Sequence, residues 1–480
     1  MKNKTSRAHV AIDLGAGSGR VILGILSEER VNKIESVVLP PELRVLHRFA
    51  NPIEMRDGHE RWNLGKLFEG VLEGLARAAK SGVEIQSVGV DTWGVDYGLL
   101  DSDGNLLEDP ICYRDARTRG VPEKVFAVVP REEVFARTGV QVQPFNTLYQ
   151  LWAHVHEGRF PARAHRLLFM PDLLHALLCA SSCAEATIAS TSQMLNVATS
   201  DWDTEMLDAL GLPTAILPRI ERAGTRIGEL TEAVRKATGL GTVPVVLPAC
   251  HDTASAVVGA GLAHGASGEA FLSSGTWSLL GVVTDAPVVN DIVRRANLTN
   301  EAGAFGKNRL LQNVMGLWIV EECRRIWGQR GLEVEWENLL PRIAHAPAYA
   351  ARIPVDDPRF FRPADMVAEI LACLRERSVD VQEDPAWIAR IVLESLAYRY
   401  AEVVRALELA TGTKLRTLTI VGGGVRNSLL NQLTADATGL DVLPGPEEAT
   451  ALGNILVQAS AFGPLPELRR ATYIHRPRDP

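Results

Sequence analysis

Long apolar runs are absent from this 480-residue sequence. No stretch reaches the ~18 apolar residues from which a membrane-spanning helix is built, so we expect no transmembrane segment and no membrane partner. The first apolar segment, residues 8–14, is too short to be a secretory signal and is broken early by Asp13 and glycines. The sequence also lacks a stripe or tail of Lys and Arg, and its net charge is -8. A nucleic-acid partner is therefore not expected.

Cysteine is scarce and lacks the spacing of a metal site. The six cysteines contain no CxxC pair and no Cys/His ligand pattern. Cys179 and Cys183 lie one helical turn apart and could form half of a metal site, but no second pair accompanies them and their neighbours are apolar. Buried thiols are the preferred interpretation. Reduced cysteines suit a cytoplasmic protein, and we expect that location.

The composition is that of an ordinary globular protein with more than one core. Apolar residues make up 46% and charged residues 22% of the chain. At ~150 residues per domain, the length indicates two to four domains. Residues 8–27 and 268–283 share one layout, an apolar run, a turn of small residues and a second apolar run. Each predicts a β-hairpin, and together they indicate two halves of related design.

Strand patterns alternate with helix patterns along the chain, which predicts an α/β fold. The apolar spacing predicts helices over 64–79, 132–138, 148–156, 172–178, 387–411 and 427–438, and strands over 83–90 and 417–421. A strand-like run with two prolines, residues 243–249, marks the predicted boundary between a domain of residues 1–246 and a domain of residues 247–480.

The glycine-rich turn at residues 15–20 would let backbone N–H groups approach an anion closely. It is not a dinucleotide-binding loop, because a strand pattern follows it instead of a helix, and it is not a Walker A loop, because no Gly-Lys-Ser/Thr follows. Alone, such a turn is more often an ordinary hairpin. The matching turn Ser273–Thr276 suggests two hairpins gripping a polyphosphate, and Gly422–Gly424 could lie against an adenosine.

Asp13 stands at the entrance to the first of these turns. A carboxylate beside phosphates is repelled unless a divalent cation lies between them. Asp13 is therefore a candidate for direct or water-mediated contact with Mg²⁺.

Asp252 follows an apolar strand pattern and precedes a helix of small residues, which is where α/β proteins place reactive groups. It could accept the proton of an attacking hydroxyl, as the catalytic Asp of kinases does. It could equally be a helix N-cap. His251 beside it is more often a structural histidine than a base.

Three further polar segments are candidates for sugar contacts. Asp91–Asp96 combines carboxylates with a tryptophan, which suits a sugar ring, although a strand-to-turn transition would look the same. Tyr113–Thr118 gathers planar polar groups that a plain surface does not explain. Asn313 precedes an apolar pattern and is either a sugar ligand or a helix N-cap.

Nine segments together resemble the FGGY family of carbohydrate kinases, and they run in order from residue 10 to about residue 455. The segments are AIDLGAGSGRV, GVDTWGVDYGLLD, YRDART, QPFNTLYQL, FMPDLL, HDTASAV, LSSGTWSL, NVMGLW and IVGGGVRN. The glycine-rich turns are shared with a wider superfamily, whereas DTWGVD, PFNTLYQL and HDTASAV are specific. The resemblance implies two ribonuclease-H-like (actin-like ATPase) α/β domains, with mixed sheets flanked by helices and a cleft between them. It makes residues 1–246 the sugar-binding domain and residues 247–480 the nucleotide-binding domain.

The resemblance also implies residue roles. Asp252 is similar to the catalytic base. The sugar contacts would be Gly94, His251, Asp252, Thr253 and Asn313, and the ATP contacts would be Ala16, Gly17, Ser18, Gly19, Arg20, Thr276, Glu321 and Gly423.

The sequence departs from the family pattern at several positions. Gly17 stands where Ser is usual, and Glu321 stands where a nucleotide-contacting Gln is common, which adds negative charge near ATP. Thr434 and Thr438 stand where relatives can carry cysteines, so no disulfide is expected there.

The function implied by the resemblance is transfer of the γ-phosphoryl group of Mg²⁺-ATP to the 1-hydroxyl of L-rhamnulose, in a monomer or homodimer. L-fuculose or L-ribulose is the first alternative substrate. An actin-like ATPase without sugar activity is a second alternative, but it has no use for the 91–96 cluster. A non-catalytic sugar-binding relative is a third, but the presence of Asp252 argues against it.

Overall fold

The computed structural model describes residues 5–30, 36–38, 41–463, 465 and 474–478. Its helices and strands form a first half that ends at Gly259 and a second half that begins at Glu269. The first half comprises β1 (Thr5–Leu14), β2 (Ser18–Arg30), β3 (Ser36–Val38), β4 (Glu42–Ala50), β5 (Ile53–Arg56), β6 (His59–Trp62), α1 (Leu64–Ala79), β7 (Ile85–Thr92), β8 (Tyr97–Leu100), α2 (Val121–Phe126), α3 (Arg131–Thr138), α4 (Thr147–His156), β9 (Arg166–Phe169), α5 (Met170–Cys179), β10 (Ala184–Glu185), α6 (Ala186–Ala189), β11 (Leu195–Asn196), β12 (Asp201–Trp202), α7 (Thr204–Ala209), β13 (Ile220–Glu221), β14 (Arg226–Glu229), α8 (Glu232–Thr238), β15 (Pro244–Val246) and α9 (Asp252–Gly259). The second half comprises β16 (Glu269–Ser274), β17 (Trp277–Thr284), α10 (Asp291–Arg295), β18 (Thr299–Ala302), β19 (Asn308–Met315), α11 (Trp318–Gln329), α12 (Trp336–His345), α13 (Met366–Glu376), α14 (Pro385–Thr411), β20 (Thr417–Val421), α15 (Ser428–Thr438), β21 (Asp441–Pro444) and α16 (Ala449–Ser460).

Each half is built on a mixed sheet with the same strand order. The first sheet contains β4-β2-β1-β7-β15, and the second contains β19-β17-β16-β20-β21. In the first sheet, β4, β2 and β1 pair antiparallel, and β7 and β15 run parallel to β1. In the second sheet, β19, β17 and β16 pair antiparallel, and β20 and β21 run parallel to β16. Additional strands lie at the edges, including β14 on the first sheet and β18 on the second. The related design predicted from the two hairpins is therefore confirmed by the topology.

The strand register brings polar residues to one edge of the first sheet. Asp13 on β1 lies opposite Asp91 on the parallel strand β7. Thr92, which ends β7, pairs with His251, the residue before α9. Because the carboxyl ends of parallel strands meet at the same edge of a sheet, Asp13, Asp91 and Asp252 are gathered there.

Helices α9 and α16 lie between the two sheets and exchange partners. Helix α9 follows the first sheet but packs on the second, and α16 follows the second sheet but packs on the first. They cross at two glycines, where an added Cβ would lie 2.0 Å from the Ala449 carbonyl oxygen at Gly259 and 1.7 Å from the Ser255 carbonyl oxygen at Gly453. No side chain fits at either position, so the helices pack backbone against backbone.

Most predicted helices lie where the apolar spacing placed them. Helix α1 spans the predicted range, and α14 begins two residues early, at Pro385. Strand β7 is shifted towards its carboxyl end and reaches Thr92, because its pairing with β1 continues to Leu14.

Both N-cap interpretations are wrong. Asn313 lies within β19 opposite Leu279, and the following helix begins only at Trp318. At α9 the cap position belongs to His251, and Asp252 is the first helical residue. Neither side chain therefore caps a helix, which was the structural alternative to a functional role for each of them.

All six cysteines are free thiols, buried except for the half-buried Cys179. At the two positions where no disulfide was expected, the hydroxyls of Thr434 and Thr438 donate to the carbonyls of Leu430 and Thr434. Within the residues that the structure describes, the helices are all too short or too polar to cross a membrane.

Candidate active site

A cavity of about 250 Å³ lies between the two halves, and both contribute to its walls. The first half lines it with Gly15, Ala16, Trp93, Gly94, Val95, Tyr113, Val140, Gln141, Phe145, Asn146, Thr191, His251, Asp252 and Thr253. The second half lines it with Ser273, Ser274, Gly275, Thr276, Trp277, Leu279, Thr299, Glu301, Asn313, Gly422 and Gly423.

One end of the cavity is formed by the turns of small residues. The first turn is closed by the N–H of Gly15, which donates to the Ser18 carbonyl at 2.9 Å, and the second by the N–H of Gly275, which donates to the Trp277 carbonyl at 2.9 Å. The two turns face the same cavity, as the kinase interpretation requires. The backbone of Gly422 packs closely against Ser274 in the second turn. Its φ is +82°, and a Cβ there would lie 3.0 Å from the Ser274 carbonyl oxygen, so glycine suits this position.

Three of the eight predicted ATP contacts line the cavity. These are Ala16, Thr276 and Gly423. Gly17 and Ser18 form the exposed tip of the first turn, and Gly19 is buried against Phe49. Arg20 points from β2 towards Asp13. Glu321 lies on α11 outside the cavity lining, where its carboxylate accepts from Arg324 at 2.7 Å and from the Trp336 indole at 2.9 Å.

Asp13 is buried beside this end and is held by a two-sided ion pair. The guanidinium of Arg20 bonds to the carboxylates of both Asp13 and Glu448. Burial raises the pKa of Asp13 to about 6; Arg20 opposes this shift, and the nearby charge of Asp252 adds to it.

Asp91 lies next to Asp13 and is fully buried. Burial and the charge of Asp13 raise its pKa well above the usual range, while a hydrogen bond from the Asn454 amide at 2.5 Å opposes the shift. Its Oδ1 atom is buried without a hydrogen-bond partner among the described residues. A buried carboxylate oxygen with no donor is available to a cation or an ordered water.

Asp252 lines the same cavity as the two turns, and its side chain is 32% exposed. Its Oδ1 accepts the backbone N–H of Thr253 at 2.5 Å and the Thr253 hydroxyl at 3.1 Å. His251 Nε2 lies 3.5 Å from the same oxygen. Of the two carboxylate oxygens, Oδ2 is the one left to accept from a ligand.

A polar wall of the cavity comes from β18, β19 and His251. Arg309 Nη2 lies 3.1 Å from both His251 Nδ1 and Glu301 Oε2. Burial tends to raise the pKa of Glu301, but the charge of Arg309 and hydrogen bonds from His251 and Asn313 hold it below the usual range. Glu301 is thus an ionised carboxylate at the cavity surface.

Asn313 is held by a residue from the other half of the molecule. Its backbone N–H and its side-chain amide donate to Gln141 Oε1 at 2.9 and 3.2 Å, and Gln141 Nε2 donates back to the Asn313 carbonyl at 3.2 Å. Both residues line the cavity, so this exchange joins the two halves at its wall.

Gly94 and Val95 form a strained turn at the cavity surface. Val95 has φ +69°, a value that is rare and costly for a β-branched residue. The turn is held by Thr191 Oγ1, which accepts the Val95 N–H at 3.1 Å, and by the Thr147 hydroxyl, which donates to the Val95 carbonyl at 2.7 Å. A Cβ at Gly94 would lie 3.1 Å from Thr191 Oγ1, so glycine suits this position.

Aromatic rings close the cavity from one half to the other. Phe145 from the first half packs 5.2 Å from Trp277 and stacks 5.9 Å from Phe361, both of the second half. The guanidinium of Arg114 lies 4.0 Å from the centre of the Trp318 ring. Arg362 adds a further link, because it donates to the Arg114 carbonyl at 2.8 Å and forms an ion pair with Glu60.

The predicted sugar contacts Gly94, His251, Asp252, Thr253 and Asn313 are therefore brought into one cavity. Sequence reasoning missed Gln141, Glu301 and Thr299, which belong to no small-residue turn. Phe145 and Asn146 lay within the quoted segment QPFNTLYQL, which was the available signal for them.

Comparison with known proteins agrees with this geometry. The model of the N-terminal domain of the FGGY family of carbohydrate kinases matches residues 9–259, and that of the C-terminal domain matches residues 270–462. The chain belongs to this family, and it is an ATP-dependent carbohydrate kinase.

Among curated relatives, it is 42% identical over 455 residues to a protein named rhamnulokinase from Bacteroides thetaiotaomicron, covering 94% of this chain and 90% of that one. It is 38% identical over 468 residues to a rhamnulokinase from Enterococcus faecalis, covering 97% and 91%.

Solved structures share the fold at lower identity. The ligand-bound xylulose kinase from Lactobacillus acidophilus superposes with a TM-score of 0.77 at 17% identity, covering 98% of this chain and 94% of that one. The glycerol kinase of Plasmodium falciparum with ADP superposes with a TM-score of 0.70 at 15% identity, covering 95% and 90%.

Proposed function

We propose that this enzyme transfers the γ-phosphoryl group of ATP to the 1-hydroxyl of L-rhamnulose, giving L-rhamnulose 1-phosphate and ADP. The observation that carries the proposal is that Asp252 shares one cavity with two turns suited to phosphates and with polar side chains suited to sugar hydroxyls. The two rhamnulokinases, similar over nearly the whole chain, support the choice of sugar.

Asp252 acts as the general base. Its Oδ1 is occupied by Thr253, which orients the carboxylate and leaves Oδ2 to accept the proton of the attacking hydroxyl. In phosphoryl transfer most of the catalysis comes from alignment and charge neutralisation. The turns align the phosphates, and the contacts between the halves exclude water that would otherwise hydrolyse ATP.

The predicted Mg²⁺ fits the residues present. Mg²⁺ prefers oxygen ligands and is held in kinases by one or two carboxylates together with phosphates and water. Asp13 would hold it, and the free Oδ1 of Asp91 lies beside that position. When bound, the cation would neutralise phosphate charge.

The experiment that tests the substrate is a turnover screen. The purified enzyme is assayed for ADP release with L-rhamnulose, L-fuculose, L-ribulose and no sugar, and the phosphorylated carbon is identified by ³¹P–¹H NMR. The proposal requires the highest kcat/KM with L-rhamnulose and phosphate on carbon 1. ATP hydrolysis that no sugar stimulates would instead support an actin-like ATPase.

Asp252→Asn tests the base. Removing the proton acceptor should lower kcat by about 10²- to 10⁴-fold while sugar binding, measured by calorimetry, stays within a few-fold of wild type. Asp285→Asn is the control, because this exposed aspartate lies outside the cavity lining and pairs with Lys307. A fully active Asp252→Asn enzyme would remove Asp252 from the mechanism.

We place the enzyme in the cytoplasm, where ATP is available and its six free thiols remain reduced. Its assembly is a monomer or a homodimer, which light scattering at assay concentration distinguishes.

A further inference from the structure

Strand β18 contributes two cavity-lining side chains to which no role has been assigned. Thr299 and Glu301 are two residues apart on this strand, so their side chains project from the same face. Both line the cavity, and β18 is an edge strand added outside the five strands that the two sheets share. The polar wall therefore depends on an element that the common fold does not require.

Glu301 and Thr299 bring a carboxylate and a hydroxyl to the cavity. Thr299 Oγ1 is buried without a hydrogen-bond partner among the described residues. Leaving a buried polar group unpaired costs free energy, so such an atom usually awaits a ligand or water. Glu301 is 4% exposed, and its Oε2 lies 3.1 Å from Arg309 Nη2 and 3.2 Å from His251 Nδ1. Thr299 and Glu301 both line the cavity that also contains Asp252.

Arg309 holds this arrangement in place. It lies opposite Glu301 on the neighbouring strand and is 1% exposed. Its Nε donates to the Ala302 carbonyl at 3.0 Å, and its Nη2 lies 3.1 Å from both Glu301 Oε2 and His251 Nδ1. His251 Nδ1 also lies 3.2 Å from Glu301 Oε2, so Arg309, Glu301 and His251 form one cluster. The other ring nitrogen of His251, Nε2, lies 3.5 Å from Asp252 Oδ1.

We propose that Glu301, positioned by Arg309 and assisted by Thr299, is the specificity-determining acceptor for the secondary hydroxyls of the ketose. An ionised carboxylate accepts hydroxyl hydrogen bonds strongly and only where the hydroxyl points towards it. A site built to bond a hydroxyl rejects a sugar whose hydroxyl points elsewhere, because the hydrogen bond between that hydroxyl and the carboxylate is then lost. The inference rests on the proposed function for the identity of the sugar but not for the geometry.

The test is Glu301→Gln, which keeps shape and removes the charge. With L-rhamnulose, kcat/KM should fall by about 10- to 100-fold, mainly through KM, because a hydrogen bond to a charged acceptor is lost. The KM for ATP should stay within about twofold, since the turns that face ATP are untouched. L-Fuculose differs from L-rhamnulose in the configuration of one hydroxyl. The ratio of kcat/KM for L-rhamnulose to that for L-fuculose should therefore also fall in Glu301→Gln.

Glu394→Gln is the matched control. Glu394 is also a buried glutamate paired with an arginine, Arg390, in the same half, but it lies outside the cavity lining. It should lose stability without a change in sugar KM or in the sugar preference. If it raises the sugar KM as much as Glu301→Gln does, the effect is one of stability and the proposal is wrong.

Thr299→Val keeps the proposal testable if Glu301→Gln does not fold. It removes one hydroxyl at nearly constant volume and should raise the sugar KM by about 3- to 10-fold. Unchanged sugar KM and unchanged preference in a folded Glu301→Gln or, failing that, Thr299→Val enzyme would overturn the inference. If wild type prefers another ketose, the proposed function fails but the same comparison is made with that ketose.

Discussion

At the residue scale, the cavity depends on single carboxylates that organise their surroundings. Asp96 is 1% exposed, and its Oδ2 accepts the indole N–H groups of Trp62 at 2.6 Å and Trp93 at 3.0 Å and the backbone N–H of Tyr113 at 3.1 Å. Its Oδ1 accepts the Gln150 amide at 3.1 Å. Trp93 and Tyr113 line the cavity, so this buried acceptor sets the position of two of its walls.

Asp96→Asn should therefore weaken both folding and sugar binding. An asparagine can accept on one side only, and its NH₂ group would face either the indoles or the Gln150 amide, a donor against a donor. We expect a loss of about 1–3 kcal/mol in the free energy of unfolding and a raised KM for the sugar. Urea unfolding and steady-state kinetics measure the two effects. Asp103→Asn, in an exposed turn, serves as the control and should change neither; wild-type behaviour of Asp96→Asn would contradict the prediction.

At the element scale, the crossing of α9 and α16 joins the two sheets through a close backbone contact. Gly259 of α9 packs against the backbone of α16 at Ala449, and Gly453 of α16 packs against the backbone of α9 at Ser255. The crossing also carries polar links, since Asn454 on α16 donates to Asp91 and Gln458 donates to the Val10 carbonyl at 3.0 Å. A shift of one helix would move Asp91, and with it the edge of the sheet that holds Asp13.

Gly453→Ala should force these helices apart. The new methyl group would lie 1.7 Å from the Ser255 carbonyl oxygen, which is backbone and cannot rotate away. We expect the free energy of unfolding to fall by about 1–3 kcal/mol or more, and kcat to fall with it. Thermal unfolding measures the first effect and the ADP-release assay measures the second.

Gly328→Ala is the matched control for this substitution. It also lies within a helix, but its Cβ would meet only Val334 at an ordinary 3.8 Å. It should be neutral or gain about 0.5–1 kcal/mol from the better helix propensity of alanine. Equal effects of the two substitutions would show that the crossing has no special role.

At the scale of the whole molecule, a buried polar chain ties the first strand to the last helix. His9 Nδ1 lies 2.8 Å from Ser87 Oγ, and the Ser87 hydroxyl donates to Gln458 Oε1 at 2.6 Å, so His9 is the donor to Ser87. His9 Nε2 is buried without a partner among the described residues. Burial, and secondarily the charge of Arg7, lowers the pKa of His9 to about 4. The folded state therefore keeps this ring neutral.

This arrangement predicts that stability falls on acidification. The unfolded chain takes up a proton on His9 near its ordinary pKa of 6.5, whereas the folded protein takes it up only near pH 4. The stabilisation is complete above pH 6.5 and is lost as the pH falls to about 4, a loss of about 3 kcal/mol from this group. His175, whose pKa burial lowers to about 3, acts in the same direction.

His9→Asn should flatten this dependence, because the asparagine amide can still donate to Ser87 but does not titrate. Urea unfolding at several pH values between 4 and 7 measures the slope. His156→Gln, an exposed position, should keep the wild-type slope. An undiminished slope in His9→Asn would contradict the assignment.

The sequence alone determined the class of fold, because the class depends on local pattern. Apolar periodicity located α1 and α14, and small residues between strand patterns located both hairpin turns. Local sequence made Asp252 a candidate base or helix N-cap, and its role as the base stays a prediction. The predicted boundary at residues 246/247 and the residue-level ATP contacts stay predictions.

Only the tertiary structure decided which distant side chains share the cavity. Gln141 meets Asn313, and Arg309 orients Glu301 and His251, through sheet register and the closing of one half on the other. It also showed Asn313 within a strand and Glu321 outside the cavity lining. A lone glutamate or glutamine has no local signature of function, because its role comes from partners that are far away in sequence and adjacent only after folding.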